Sequence, residues 1–312
     1  MTQGDQQSGS RPVNAETETP APVFIAGLAH SGKTELRRAL SQLPHLELTR
    51  KTYLWTRFFR RFGDLEEEAN LERCLDALLR DPGVATLNPD AERIRSEFTS
   101  GPRTYVRLFA LVHQHHAERL GKPRWGDQLG SVEHVAGPIL RELPEARMIH
   151  MVRDPRVLLV TGVSSRRSPE SLGWNTARWA ASADVARTNQ EQFPEQYLVL
   201  RYEDLWFRPE EALQRVCRFL DERYSPEMVA GFIDGHRDHK DEIAPGTGRS
   251  ALGMALVERY ATTQVATLGY PESMVRLSGR DRLMFHLVVQ PRGLAGMTAW
   301  RIGRGGGRRW QT

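Results

Sequence analysis

The stretch Gly27-Leu28-Ala29-His30-Ser31-Gly32-Lys33-Thr34 constrains this chain more than any other. It fits G-x-x-x-x-G-K-T, and it stands between two readable elements. Before it, Val23–Ala26 is a short apolar run ending at Gly27, the pattern of a buried strand meeting a turn. After it, Leu36, Ala39, Leu40 and Leu43 recur at helical spacing, and Pro44 closes the run. Strand, glycine loop and helix in that order make an anion cradle. The glycines let backbone N–H groups close around the anion. The helix N-terminus adds about half a positive charge. Lys33 can reach a terminal phosphate or sulfate oxygen. The loop predicts a phosphate-bearing ligand without identifying the nucleotide.

Further along, Met148–Val152 reads as a second buried strand. Asp154-Pro155 follows it, an N-cap and a proline at the first helical position. Tyr197–Tyr202 reads as a third strand. A helix announced by Pro209-Glu210-Glu211 comes next, with Leu213, Val216, Cys217 and Leu220 on one face. Strands alternating with helices predict a three-layer α/β fold, a central parallel sheet with helices on both faces. Residues 50–120 are rich in charge and aromatics and show helical patterns without a clear strand, so they read as a helical insertion. Their aromatic stripe, Tyr53, Trp55, Phe58, Phe59, Phe62, Tyr105 and Phe109, has the spacing of core. Residues 1–21 lack periodicity and read as a disordered tail. Residues 22–271 form the expected domain, and 272–312 a basic extension.

Composition excludes several classes. No apolar run approaches the ~20 residues needed to span a bilayer, and the polar N-terminus has no secretory core. Cys74 and Cys217 make neither a disulfide framework nor a metal-ligand pattern. A cytoplasmic protein is expected. The net charge of +4 does not indicate a nucleic-acid binder. Only Lys33, Lys51, Lys122 and Lys240 are lysines among 43 basic residues, so a lysine inside the glycine loop stands out. Residues 276–312 carry eight arginines against one aspartate. That run could rest on an anionic membrane surface, or dock as a helix with a flexible basic tail.

A nucleotide triphosphatase needs an acid at the end of a neighbouring strand to hold Mg²⁺. Here that strand ends in Arg153, and Asp154 suits a helix cap. A cation at that edge suits a second anionic group on the ligand, and Thr161, about two helical turns on, could help to pinch it.

Taken together, GLAHSGKT, RMIHMVRDPR and YLVLRYEDL followed by RPEEALQRVCRFL resemble the sulfotransferases that use 3′-phosphoadenosine 5′-phosphosulfate (PAPS). GKPRWGDQLG at 121–130 is similar to that family's W-G-D/E-K segment, and Leu268-Gly269-Tyr270 to its closing element. The likeness covers about residues 22–271 and implies a P-loop-type fold. It implies that the loop, with Gly27, His30, Ser31, Gly32, Lys33 and Thr34, binds the 5′-phosphosulfate. Arg153 and Thr161 would take the 3′-phosphate, and Tyr202 would contact the adenine. It implies PAPS as co-substrate, no metal, and transfer to a hydroxyl or amine of a small-molecule or glycolipid-like acceptor.

The sequence departs from the family pattern in four places. His30 stands where the loop usually has Arg or Lys. Lys33 stands where it usually has Thr. Gln128 replaces the lysine of W-G-D-K. The region that carries a catalytic carboxylate in many relatives reads Thr49-Arg50-Lys51-Thr52. Lys33 and His30 are then the expected catalytic cations. The candidates for the general base are Asp127, His30, Glu133 and Asp64, with Asp127 first because it lies in the family-like segment. Two rival readings follow from these departures. One is a P-loop kinase or NTPase using ATP and Mg²⁺. The other is a catalytically lapsed donor-binding protein. The run His113-Gln114-His115-His116 reads as a solvated face, since neighbouring helical residues diverge by about 100°.

Overall fold

The computed structural model describes residues 21–158, 168–234, 251–271 and 275–305. Thr161 and nearly all of the expected 1–21 tail lie outside the described residues. Five parallel strands form the sheet: β1 (Val23–Ala26), β2 (Leu46–Arg50), β3 (Arg124–Gln128), β4 (Arg147–Val152) and β5 (Tyr197–Arg201). Their order is β2-β3-β1-β4-β5. β1 is central because all four of its residues are apolar and buried, as a strand covered on both faces requires. Val23 and Ile25 face one layer while Phe24 and Ala26 face the other, the period-2 alternation of a strand.

Helices follow the strands in chain order. α1 (Lys33–Leu40) leaves the loop after β1. The expected insertion contains a π-helical turn (Leu54–Phe58), then α2 (Glu68–Arg80), α3 (Pro82–Ala85), α4 (Ala91–Thr99) and α5 (Tyr105–Arg119). α6 (Ala136–Glu142) precedes β4. After β4 come α7 (Pro155–Leu158) and the 24-residue α8 (Pro169–Gln192). α9 (Tyr202–Phe207), α10 (Pro209–Leu220) and α11 (Glu227–Asp234) follow β5. The chain continues through α12 (Ala251–Thr267), α13 (Gly279–Met284) and α14 (Gln290–Gly305).

α1, α10 and α11 cover the face bearing Val23, Ile25, Ile149 and Leu200. α5 and α6 cover the face bearing Phe24, Trp125 and Met148. The aromatic stripe is largely core: Trp55 meets Phe24 and Phe109 edge to face at 5.4 and 5.0 Å. The histidine run is not a solvated face. His113 and His115 are fully buried, the first stacked on Trp125 at 5.1 Å, the second 2.9 Å from Glu97. α5 is covered on two sides, by β3 at His113 and by α4 at His115, so both rings are buried although they point apart. The last helix packs closely on α8: a Cβ at Gly173 would stand 2.0 Å from the carbonyl oxygen of Gly293. Glycine permits this approach on either helix: a Cβ at Gly296 would stand 1.9 Å from the Glu170 carbonyl oxygen. Among the described residues, no helix is long and apolar enough to cross a membrane.

Candidate active site

The glycine loop joins β1 to α1 through three residues with positive φ, Gly27 at 118°, His30 at 64° and Gly32 at 96°. Glycine tolerates this region and other residues are strained there. Gly32 is also the N-cap of α1. A Cβ on it would come within 2.2 Å of the Tyr202 ring, so the aromatic ring of α9 lies directly on the loop. Ser31 Oγ donates to the Leu28 carbonyl at 2.8 Å. Lys33 Nζ donates to the carbonyls of Gly27 and Leu28. Burial pushes the Lys33 ammonium down to about 8, with Glu133 and Glu35 opposing and Arg178 assisting. The lysine is thus a desolvated cation resting on its own loop.

A cavity of about 440 Å³ opens over the loop. Its walls carry His30, Lys33, Arg38, Lys51 and Arg178, while Glu35 is the one carboxylate among its described lining residues. The surplus of positive charge fits an anionic ligand. Seven non-glycine residues among those described have positive φ, and His30, Lys51, Tyr53 and Ser131 of this wall are four of them. Strain gathered at one cavity marks a built site. Gln128 closes the far wall with its Nε2 3.5 Å from Thr34 Oγ1, in the place of the family lysine.

Beside the loop, Arg153 directly follows β4 and Tyr202 begins α9. The Arg153 guanidinium lies 4.4 Å above the Tyr202 ring, and its Nη1 donates to the His30 carbonyl at 3.1 Å. Its Nε is buried without a hydrogen-bond partner. Asp154 is a cap, as its position before Pro155 predicts: Oδ1 accepts from the Arg156 backbone at 2.8 Å, and the carboxylate pairs with the Arg156 side chain at 2.6 Å. Glu203 ties three of the family-like segments together. It accepts from Asp154 N at 2.9 Å and from the Tyr270 hydroxyl at 3.0 Å. Burial pushes its carboxyl up, which the hydrogen bonds only partly offset.

Three of the four expected bases do not reach the cavity. Asp127 is fully buried, and its two oxygens accept from Thr49 at 2.9 Å and Thr52 at 2.7 Å. It pins β2 and the following turn to β3, and it cannot meet an acceptor. Glu133 lies beneath the loop, where it accepts from Gly27 N at 3.3 Å and from Ser182 Oγ at 3.2 Å. Asp64 is exposed and accepts from Glu66 N in a turn of the insertion. His30 does line the cavity, as does Glu35, which the sequence reading did not single out. Arg38, Lys51, Tyr53 and Arg178 were also missed. Glu35 and Arg38 lie one and four residues past Thr34, so the helical period could have placed them at the loop.

Fold and site together define an α/β protein of the P-loop type, with a cationic cavity at the glycine loop and Arg153 beside that loop after the next strand. The sulfotransferase family profile matches residues 22–226. The chain belongs to that family, and it is a transferase. Among solved structures it is similar to sulfotransferase STF9 from Mycobacterium avium, at 13% identity over 82% of this chain and 79% of that one, TM-score 0.48. It is also similar to the sulfotransferase domain of the Synechococcus PCC 7002 olefin synthase, at 17% identity over 95% and 98%, TM-score 0.44. A third is the sulfotransferase domain from the curacin biosynthetic pathway, at 18% identity over 86% and 97%, TM-score 0.43. No curated protein matches the chain. The family assignment rests on the profile.

Proposed function

We propose that this sulfotransferase takes its sulfuryl group from PAPS and passes it to a hydroxyl or amine of a small acceptor. The observation that carries the donor reading is the contact of Arg153 and Tyr202 with the glycine loop. One ligand bearing a 5′-phosphosulfate, an adenine and a 3′-phosphate would touch all three. The unpartnered Arg153 Nε and the Gly32 cradle fit such a ligand.

PAPS supplies a sulfur that bonds to the acceptor oxygen or nitrogen while its bond to the 5′-phosphate oxygen breaks. Lys33, with the amides at the start of α1, neutralises charge on the sulfuryl and leaving oxygens. Arg178 adds a second cation from α8. His30 or Glu35, the proton acceptors on the cavity wall, takes the proton from the attacking group. 3′,5′-Bisphosphoadenosine (PAP) leaves.

Arg153→Ala tests the donor. We expect it to weaken PAP by about 1.5–3 kcal/mol, the worth of a charged hydrogen bond in a partly desolvated site. Adenosine 5′-phosphosulfate, which lacks the 3′-phosphate, should lose far less. Equal losses in calorimetry would remove Arg153 from the 3′-phosphate. The kinase alternative is tested by chelation. Arg153 ends β4 and Asp154 is committed to Arg156, so that strand end presents no free acid for Mg²⁺. PAP affinity should be unchanged after exhaustive treatment with EDTA. Loss of binding, restored by Mg²⁺ together with ATP binding, would favour the kinase.

A further inference from the structure

We propose that the acceptor of this enzyme is an anion: a hydroxyl-bearing molecule whose phosphate, sulfate or carboxylate is held by Arg37 and Arg50 in a groove beside the donor cavity. The proposal rests on the donor reading in one respect, that the nucleotide lies over the Arg153–Tyr202 half of the sheet. With β4 and β5 on that side of β1, the acceptor has the half formed by β3 and β2. There a groove of about 730 Å³ runs past the end of β2. Lys51 and Tyr53 wall both this groove and the donor cavity. A molecule seated in the groove can therefore reach the transferring group past these two residues.

The charges of the groove do not balance. Arg57 is paired with Asp81 at 3.0 Å, and Glu47 with Lys122 at 2.6 Å. Among the described residues, Arg37, Arg50 and Lys51 have no carboxylate within ion-pair distance. Arg37 Nε is buried with no hydrogen-bond partner. Burial, then repulsion from Arg50 and Arg38, holds the Arg37 guanidinium below its ordinary range, and the Glu47 carboxylate only partly offsets this. A half-buried guanidinium with an orphaned donor, crowded by the exposed Arg50 and Arg38, is unfavourable in the free protein. One anionic group between Arg37 and Arg50 would relieve both faults, and guanidinium geometry suits an oxyanion. Arg37 stands one helical turn beyond Lys33 on α1, so the bound anion would sit about 6 Å further along the helix than the sulfuryl site.

The test uses three sugars that differ in charge: glucose, glucose 6-phosphate and glucuronate. Each is titrated calorimetrically into the full-length protein, with and without saturating PAP. We expect an anionic sugar to bind the PAP complex at least tenfold more tightly than glucose. Which anion binds better tells phosphate from carboxylate recognition, and either preference supports the proposal. Arg37→Ala/Arg50→Ala should remove that preference while leaving PAP affinity within about twofold. Should the double variant fail to fold, Arg50→Gln at the exposed strand end carries the test, with at least a threefold loss expected. Equal binding of all three sugars, retained preference in the variants, or full displacement of the anion by PAP would overturn the proposal. Failure of PAP itself to bind would instead sink the donor reading. The titrations without PAP would still decide the groove.

Discussion

Lys33→Ala should lower kcat/KM by about 30- to 1,000-fold, equivalent to about 2–4 kcal/mol of transition-state stabilisation. The guide is the cost of removing one preorganised oxyanion donor. The loop amides would survive the substitution, since the Lys33 head group bonds only to the Gly27 and Leu28 carbonyls. What disappears is the one lysine on the loop itself. Arg178 reaches the cavity from a different helix and cannot follow the sulfuryl group in the same way. The same lysine sets a pH signature. In the free protein its pKa is about 8 because burial penalises the charge, and a bound polyanion would raise it. PAP affinity should therefore fall as pH rises above about 8, by up to tenfold per unit until the pKa of the complex is reached. Stability of the free protein should move the other way. Between about 8 and 10.5 the unfolded chain binds a proton that the folded chain has lost, so unfolding becomes harder as pH rises. Calorimetry across this window, on wild type and Lys33→Ala, separates the two effects. A slope in PAP affinity that persists in the variant would assign it to another group, and near-wild-type turnover would remove Lys33 from the mechanism.

How much of this was legible in the sequence depended on whether a residue's partners lay nearby in the chain. β1, β4 and β5 announced themselves because strands buried on both faces are continuous apolar runs. β2 and β3 did not. Their sequences, LELTR and RWGDQ, mix charge with apolar residues. β2 is the edge of the sheet, and β3 carries Asp127 into the interior. That aspartate misled for the same reason: an acid in a family-like segment looks functional. Thr49 and Thr52, which satisfy it, come from a different strand and the turn after it. The loop, Arg153, Asp154 and Tyr202 lie together because each follows the C-terminal end of a neighbouring parallel strand. Arg178 left no signal, being one arginine in an arginine-rich chain, on a helix remote from the loop in sequence. The histidine run failed through burial. Spacing gave the divergence of His115 and His116, but not that α5 turns two of the three histidines into the core.

Glu133→Ala should destabilise the protein by about 3–4 kcal/mol and impair donor binding as a consequence. This carboxylate was a candidate base, yet it is 1% exposed and its bonds all run inward. One oxygen accepts from Gly27 N, the first amide of the glycine loop, and the other from Ser182 Oγ on α8. Ser182 Oγ lies 3.2 Å from His150 Nε2, and the other ring nitrogen lies 2.7 Å from the Tyr197 hydroxyl. Burial holds His150 down to about 4, so that ring is neutral at physiological pH. Burial opposes ionisation of Glu133, but coupling to its histidine neighbours and to Lys33 keeps its carboxyl below the ordinary value; with His150 neutral, the Lys33 ammonium supports that charge at physiological pH. Alanine would orphan the Gly27 amide, worth about 1–3 kcal/mol when left buried and unpaired, and would take one of its two partners from the Ser182 hydroxyl. It would also remove a negative charge that supports protonated Lys33, lowering PAP affinity most near pH 8. Glu133→Gln keeps the shape and one acceptor, so it should lose less stability than alanine while showing the same shift in the pH dependence of PAP binding. Urea denaturation and calorimetry on both variants would check this. A general base would behave differently: turnover would collapse in Glu133→Gln with stability and PAP affinity intact. That result would return Glu133 to the chemistry and leave the anchoring of the loop to its glycines and to Tyr202.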